Sequence, residues 1–195
     1  MSNSKRIYER TQKVAETWSG EIVKSFRSLT SLRSVHPDDY ENLFVWVNNR
    51  GTRIQSSSFK PVSWVEHMAW IDGVLQSDDS LFLIIEEDAS KVAIGHVLLS
   101  GISRINRSCN LAIRIGAEEY RNRGLGSSAL KDTLRLAWAD LGLHRVQLTV
   151  IESNNRARRT YEKCGFVLEG CLRDAVFVDG RFANLLVMAC ISPNP

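Results

Sequence analysis

The stretch RNRGLGSSAL, starting at Arg121, is the feature of this 195-residue sequence that most restricts its fold. It joins an alternating apolar run, RSCNLAIRI, to a segment that carries Leu130 and Leu134 at helical spacing. Gly124 and Gly126 remove side chains where the main chain takes a positive φ or approaches a partner closely. A strand, a glycine turn and a helix in this order aim backbone N–H groups and the positive end of a helix dipole at one point. The sequence therefore predicts an anion-binding site at this turn.

The composition is that of one globular domain. A chain of this length with 44% hydrophobic residues can bury a full core. Its 25 basic and 22 acidic residues are interspersed, so nucleic acid is not an expected partner. The polar N-terminus and the lack of a long apolar run predict no membrane partner and a cytoplasmic location. The four cysteines lack CxxC spacing, and we expect reduced thiols and no metal site.

The order of the predicted elements indicates a chain of mixed α/β (α+β) class. Residues 1–28 form an N-terminal extension, predicted to be helical, and residues 29–191 form the domain. Apolar alternation predicts strands over 29–35, in a three-strand antiparallel meander ending at Ile115, over 144–151, and in two or three closing segments with a hairpin at Asp179-Gly180. Helical spacing and capping residues predict helices over 38–49, over 63–76 after a loop at 50–61, from about Ser127 to a stop at Gly142, and over 156–164 with Asn154 or Asn155 as cap.

Several phosphate-binding loops share features with the glycine turn. A Walker loop requires a lysine followed by serine or threonine after the glycines, and none follows here. A dinucleotide fingerprint, which would predict NAD binding, tolerates Ala129 at its third glycine position and stays open. A tight turn between a strand and a helix, without any ligand, also stays open.

A second block, one strand later, decides between these interpretations. Together, YRNRGLGSSAL and ESNNRARRTYEKCGF resemble the GCN5-related N-acetyltransferase (GNAT) superfamily. The motif positions of that family fall on Arg121, Gly124 and Gly126 in the first block, and on Asn154, Ala157, Tyr161, Gly165 and Phe166 in the second. The resemblance implies a single-domain acyl-CoA N-acyltransferase fold, with a mixed central sheet of about seven strands and helices on both faces. It also implies acetyl-CoA as cofactor.

The resemblance implies which residues bind the cofactor. The open main chain of the preceding strand, at Ile113, Ile115 and Gly116, would pair with the pantetheine arm. The pyrophosphate would lie on the turn, at Arg121, Asn122, Arg123, Gly124, Leu125, Gly126 and Ser127, and Asn154 and Tyr161 would contact the cofactor further along. The stretch IGAEEYR is one residue longer than the commonest family form, and a bulge there would shift the exact contacts by one residue.

Acetyl transfer to an amine needs a proton donor for the departing thiolate and an acceptor for the proton of the amine. Tyr161 is the predicted donor. Some relatives use a glutamate as base on the strand HRVQLTVI, but the matching position here is Thr149. The remaining candidates are Glu118 and Glu119 beside the turn, and Glu66 and His67 on the acceptor side. Main-chain groups with solvent as proton acceptor stay open as an alternative.

The sequence leaves the acceptor open among a protein N-terminus, an amino sugar and another small amine. The closing segment is similar to relatives that acetylate ribosomal-protein N-termini or spermidine, but Asn184 stands where they often have aspartate. The stretch from Trp46 to Trp70 is similar to relatives that acetylate sugars linked to nucleotides, which implies Arg50 and Arg53 as substrate contacts. A non-catalytic acyl-CoA-sensing domain and self-association as a homodimer also stay open.

Overall fold

The computed structural model describes residues 28–55 and 60–193, where one mixed sheet is built from seven strands. The strands are β1 (Thr30–Ser34), β2 (Leu81–Glu87), β3 (Ala93–Ser103), β4 (Ser108–Ile115), β5 (Arg145–Ile151), β6 (Val167–Val178) and β7 (Arg181–Ile191). They lie in the order β1-β2-β3-β4-β5-β7-β6, and β4 and β5 are the one parallel pair of neighbours. The mixed seven-strand sheet predicted from the sequence is confirmed, whereas nearly all of the predicted N-terminal extension lies outside the described residues.

Five α-helices connect the described strands. They are α1 (Tyr40–Asn48), α2 (Arg50–Arg53), α3 (Trp64–Gln76), α4 (Leu125–Arg135) and α5 (Asn155–Lys163). Turns of 3-10 helix cover Pro37–Asp39 and Glu118–Tyr120, and a π-helical turn over Leu136–Asp140 extends α4. None of these helices is long and apolar enough to cross a membrane.

Local side-chain caps fix several helix starts. At α3, the Ser63 side chain accepts from the Glu66 amide while the Glu66 carboxylate accepts from the Ser63 amide, which confirms the predicted capping box. At α5, the Asn154 carboxamide oxygen accepts from the Ala157 amide at 3.1 Å. The loop predicted over 50–61 was wrong in its first part, because the side chain of Asn49 accepts from the Thr52 amide and starts the short helix α2.

The core is divided between the two faces of the sheet. On one face, α4 packs through Ala129 and Leu130 against a cluster that includes Ile85 of β2. On the other face, α1 and α3 contribute Leu43 and Ile71 to a second cluster that includes Ile84 of β2. Neighbouring residues of one strand thus enter opposite cores, as strand geometry requires. The predicted helices on both faces are therefore confirmed.

The sheet splits between β4 and β5. These strands pair with each other at only three positions, Ser108–Asn110 with Arg145–Gln147. Beyond these positions β4 runs on to Ile115 and β5 to Ile151 without hydrogen-bonded pairing between them. Because the strands are parallel, their carboxyl ends lie at the same edge of the sheet and lead toward α4 and α5. This edge is where open α/β sheets bind ligands.

The end of β4 is held against α1 by a close approach of main chain to a ring. Gly116 and Ala117 both donate to the Ile94 carbonyl, at 2.8 and 3.1 Å. Gly116 is buried, and a Cβ built there would lie 2.1 Å from Cδ2 of Trp46. Trp46 can therefore pack on β4 only because residue 116 has no side chain.

Replacing Gly116 with alanine is expected to destabilise the fold. The added Cβ would overlap the Trp46 ring, so we expect Gly116→Ala to lower the free energy of unfolding by roughly 1–3 kcal/mol. Gly73 of α3 is the matched control, because a Cβ there meets nothing within 4 Å. Gly73→Ala should raise stability by up to about 1 kcal/mol, since alanine is the better helix former. Urea denaturation measures the free energy of unfolding of both variants. An unchanged midpoint for Gly116→Ala would contradict the close packing of Trp46 on Gly116.

Candidate active site

A cavity of about 500 Å³ occupies the split between β4 and β5. Its walls come from residues 111–115 of β4, residues 149–151 of β5, the glycine turn, α5 and the α1–α2 segment. Nine of the twelve predicted cofactor-binding residues line it: Ile113, Ile115, Arg121, Asn122, Gly124, Gly126, Ser127, Asn154 and Tyr161. One cavity therefore brings together most of both sequence blocks.

One end of the cavity is built to hold an anion. Gly124 is the N-cap of α4 with φ of 80°, and no side chain caps this helix. The first amides of α4 consequently lack intrahelical acceptors and carry the positive end of the helix dipole. A Cβ at Gly126 would make only an ordinary contact, 3.6 Å from Ile115, so packing does not require glycine at this lining position. Its missing side chain instead leaves the amides accessible, which fits a diphosphate.

Arg121 braces this end of the cavity. Its Nε donates to the Ile115 carbonyl at 3.1 Å, and its Nη2 donates to the Gly116 carbonyl and to Thr52 Oγ1 at 3.1 and 3.2 Å. Its Nη1 lies 3.0 Å from the Glu118 carboxylate. The guanidinium thus ties the end of β4 to α2, and it contributes positive charge from a fixed position.

Three predicted cofactor residues do not line the cavity. Arg123 lies 3.4 Å from the Glu87 carboxylate and covers the Tyr120 ring. Leu125 is buried in the core below α4, and Gly116 is buried against Trp46. The side chain of Leu125 and the close packing of Gly116 thus serve the fold.

Tyr161 and Asn154 approach the cavity from α5. The Tyr161 ring packs on Phe166, with 5.8 Å between centroids, and burial raises the pKa of its phenol to about 12. The hydroxyl therefore stays protonated well above neutral pH and can donate a hydrogen bond. Because the Asn154 oxygen caps α5, the group that this side chain has left for a ligand is its NH₂.

The structure does not bring the predicted proton acceptors into the cavity. Glu118 pairs with Arg121 and accepts from Asn49 Nδ2, and neither it nor the exposed Glu119 belongs to the lining. Glu66 caps α3. His67 is 3% exposed between the rings of Phe44 and Trp70, and burial lowers its pKa.

The predicted substrate contacts Arg50 and Arg53 also lie outside the lining. Helix α2 contributes Gly51 and Thr52 instead. Residues 56–59 of the same stretch lie outside the described residues. Trp64 packs edge-on against Phe44 and Trp70 against Phe82, which gives both tryptophans a packing role.

Sequence reasoning missed several polar residues of the lining. These are Gln55, Lys60, Arg114, Arg156 and Thr160. Arg114 had a detectable signal, since it is the charged residue in the otherwise apolar end of RSCNLAIRI and follows the open strand. Lys60 and Gln55 had no such signal in the sequence, because their position in the lining depends on how α1 and α2 pack on the sheet.

Comparisons with known proteins agree with this geometry. The family model for the acetyltransferase (GNAT) domain matches residues 30–167. Over 101 residues the chain is 37% identical to a spermidine N(1)-acetyltransferase of Vibrio cholerae, which covers 52% of this chain but only 58% of that protein. An uncharacterized N-acetyltransferase from a Bacillus subtilis prophage is 28% identical over 85% of this chain and 87% of its own length.

A solved structure shares the architecture. The crystal structure of spermidine N-acetyltransferase from Vibrio cholerae, in complex with CoA and spermine, superposes with a TM-score of 0.79. It is 28% identical and covers 85% of this chain and 96% of that one. The overall fold of this chain is thus shared with a protein that was crystallised with CoA.

The burial of Tyr161 predicts a late phenol titration. The pKa of the phenol is about 12 in the folded protein and near 10 in the unfolded chain. The contribution of this difference to the free energy of unfolding is therefore fully present below pH 10. It is lost as the pH rises toward 12. Phenolate absorbance after a rapid pH jump, read before unfolding, should show a component near 12 that is missing in Tyr161→Phe. If Tyr161→Phe instead removed a component near 10, the phenol would not be shielded from solvent as its partial burial in the core implies.

Proposed function

The chain belongs to the acetyltransferase (GNAT) family, and from this premise we propose that it moves the acetyl group of acetyl-CoA directly to a primary amine. The observation that carries the proposal is the single cavity in which the uncapped start of α4 and the Tyr161 side chain lie together. The first can hold the phosphates of coenzyme A, and the second can reach a sulfur in the same cavity. Acetyl-CoA would supply the activated acyl group.

The main chain of β4 supports a fixed position for the pantetheine arm. Beyond Asn110 this strand has no strand partner on its β5 side in the described sheet, and residues 111–115 line the cavity. Amide groups of pantetheine can pair there as an added strand would. Such pairing aligns the thioester along the cavity, and orientation of this kind is a large part of the catalysis of acyl transfer.

Tyr161 is proposed to donate a hydrogen bond to the departing sulfur. As the amine nitrogen bonds to the acyl carbon, the C–S bond breaks and negative charge develops on the sulfur. An alkyl thiol has a pKa of about 8.5, so full proton transfer from a phenol of pKa about 12 would be unfavourable. The phenol therefore stabilises the thiolate as it forms, and the proton that the thiolate finally takes balances the proton that the amine loses.

The proton of the amine is proposed to leave to solvent. The described lining contains no carboxylate and no imidazole, and Thr149 occupies the position where some relatives have glutamate. Acceptor amines would then react from the fraction that is already neutral. This feature also motivates the second candidate function, an acyl-CoA-sensing domain without turnover, and thiol release in an acceptor screen decides between the two.

The relatives supply the candidate acceptors. Similar proteins include spermidine acetyltransferases and an Escherichia coli enzyme that acetylates alanine of ribosomal protein uS5. We therefore propose a small-molecule or peptide amine. Asn184, where aspartate is often found, donates to Glu152 Oε2 at 2.9 Å and accepts from the Asp174 amide, so it serves the closing hairpin.

Self-association is also proposed. The edge strand β6 and its neighbour β7 expose large apolar side chains, among them Leu168, Phe177 and Phe182. A related Vibrio cholerae enzyme has been described as a dodecamer. Sedimentation velocity of the whole chain tests whether copies of this protein associate.

Tyr161→Phe is expected to separate catalysis from binding. The phenylalanine keeps the ring packing but removes the hydrogen-bond donor to the developing thiolate, so kcat for thiol release should fall by about 100-fold to 1000-fold. The Kd for CoA, measured by calorimetry, should change by less than about 3-fold, since the phosphates lie elsewhere. Tyr40→Phe, on α1 and outside the cavity lining, is the matched control. Equal rates for Tyr161→Phe and the parent would remove Tyr161 from the mechanism.

The pH dependence tests the absence of a side-chain base. If the amine loses its proton to solvent, kcat/KM should rise with pH up to the pKa of the acceptor itself. An α-amino acceptor of pKa about 8 and an alkylamine of pKa about 10 should then inflect about two pH units apart. A single inflection, the same for both acceptors, would indicate a titrating group on the protein instead.

A further inference from the structure

Arg114 lies in the open segment of β4, on the face opposite α4. Ile113 and Ile115 pack against the core beneath α4, so strand alternation turns Arg114 to the other side of the sheet. Its cross-strand partner there is His96, which contacts Phe82 of the second core. Arg114 therefore belongs to the side of the cavity formed by α1 and α2.

No counter-ion accompanies this guanidinium in the described part of the chain. Arg114 is half-buried, and the hydrogen bonds and ion pairs among the described residues do not include its side chain. Burial, and then repulsion from Arg121, lowers its pKa. Arg121 differs, because four hydrogen bonds hold its guanidinium. Desolvated cations are costly unless paired, so Arg114 is poised to gain from an anion.

The other charged residues of the cavity lining are also positive. The lining includes Lys60, Arg114, Arg121 and Arg156 but no aspartate or glutamate within the described residues. Lys60 comes, like Arg114, from the side away from α4, and its weak pair with Glu66 at 3.7 Å is exposed. A polyamine would meet no compensating carboxylate here. An acceptor with its own negative charge would meet two cations.

Resting on the proposed acetyl transfer, we propose that the acceptor is an amine that also carries a carboxylate or phosphate, and that Arg114 binds this group. The phosphates of coenzyme A would bind at the uncapped start of α4, whereas the Arg114 side chain projects from the face of β4 that points away from α4. Arg114 thus selects the acceptor, and it disfavours the polycation that related enzymes acetylate.

The test compares matched acceptors that differ in the anionic group. L-alanine is paired with L-alaninamide, and glucosamine phosphate with glucosamine, with spermidine as the polycation. For the parent protein we expect kcat/KM for thiol release to favour the anionic member of at least one pair by about 10-fold to 100-fold, after correction for the neutral fraction of each amine. The pair that responds distinguishes carboxylate from phosphate.

Arg114→Gln should abolish that preference by lowering kcat/KM for the anionic member about 10-fold to 100-fold. Arg114→Lys should restore part of it, since lysine keeps the charge but not the planar fork. Arg104→Gln, in the exposed β3–β4 turn, is the matched control. Thermal unfolding with CoA present gives a readout without turnover, because the anionic acceptor should raise the Tm of the parent more than that of Arg114→Gln.

The outcomes separate the two proposals. If thiol is released but spermidine or the neutral amines are the better acceptors, the role of Arg114 is overturned and acetyl transfer stands. The same holds if the preference for the anionic amine survives Arg114→Gln. CoA binding without thiol release from any acceptor overturns the acetyl transfer. In that case an anion-dependent rise in Tm that requires Arg114 still supports the anion site, and its absence overturns that site as well.

Discussion

The parting of β4 and β5 after three residue pairs is the constraint on which the site depends. Two parallel strands that separate leave main-chain groups open, and these groups need partners. A ligand in the cavity would lie within reach of these groups, and the helices that follow the two strands bring the α4 amides and Tyr161 to the same cavity. Arg121 and the contact of Gly116 with Trp46 hold the split in place.

Elements with strong local signals could be predicted from the sequence. The Ser63–Glu66 capping box, the meander ending at Ile115 and the Asp179-Gly180 hairpin each depend on neighbouring residues, and all are present. The boundaries of α4 could not be predicted as well. It begins two residues earlier than expected because Gly124 itself is the N-cap, and beyond Arg135 its π-helical turn runs on almost to Gly142.

The site residues that lie in two short sequence blocks could be predicted. Residues whose role depends on where the side chain points could not. The glycine turn and the α5 residues line the cavity because two short blocks define them. Glu118 is three residues from Arg121, yet its side chain pairs with that arginine and with Asn49 instead of entering the cavity. Arg114 was not predicted to be a site residue, yet it lines the cavity. That it has no counter-ion among residues 28–55 and 60–193 can be seen only once the neighbouring side chains are placed.

The separation of the two cores has a consequence for how such a protein can diversify. The layer of α1 and α3 packs on its own cluster, and α4 packs on another, so mutations can reshape one wall of the cavity without repacking the other. Trp46 links the two layers, because its ring packs on the main chain of Gly116, directly after β4. Substitutions in α1 and α2 can therefore change which molecules fit the cavity while the contact of Trp46 with Gly116 stays intact.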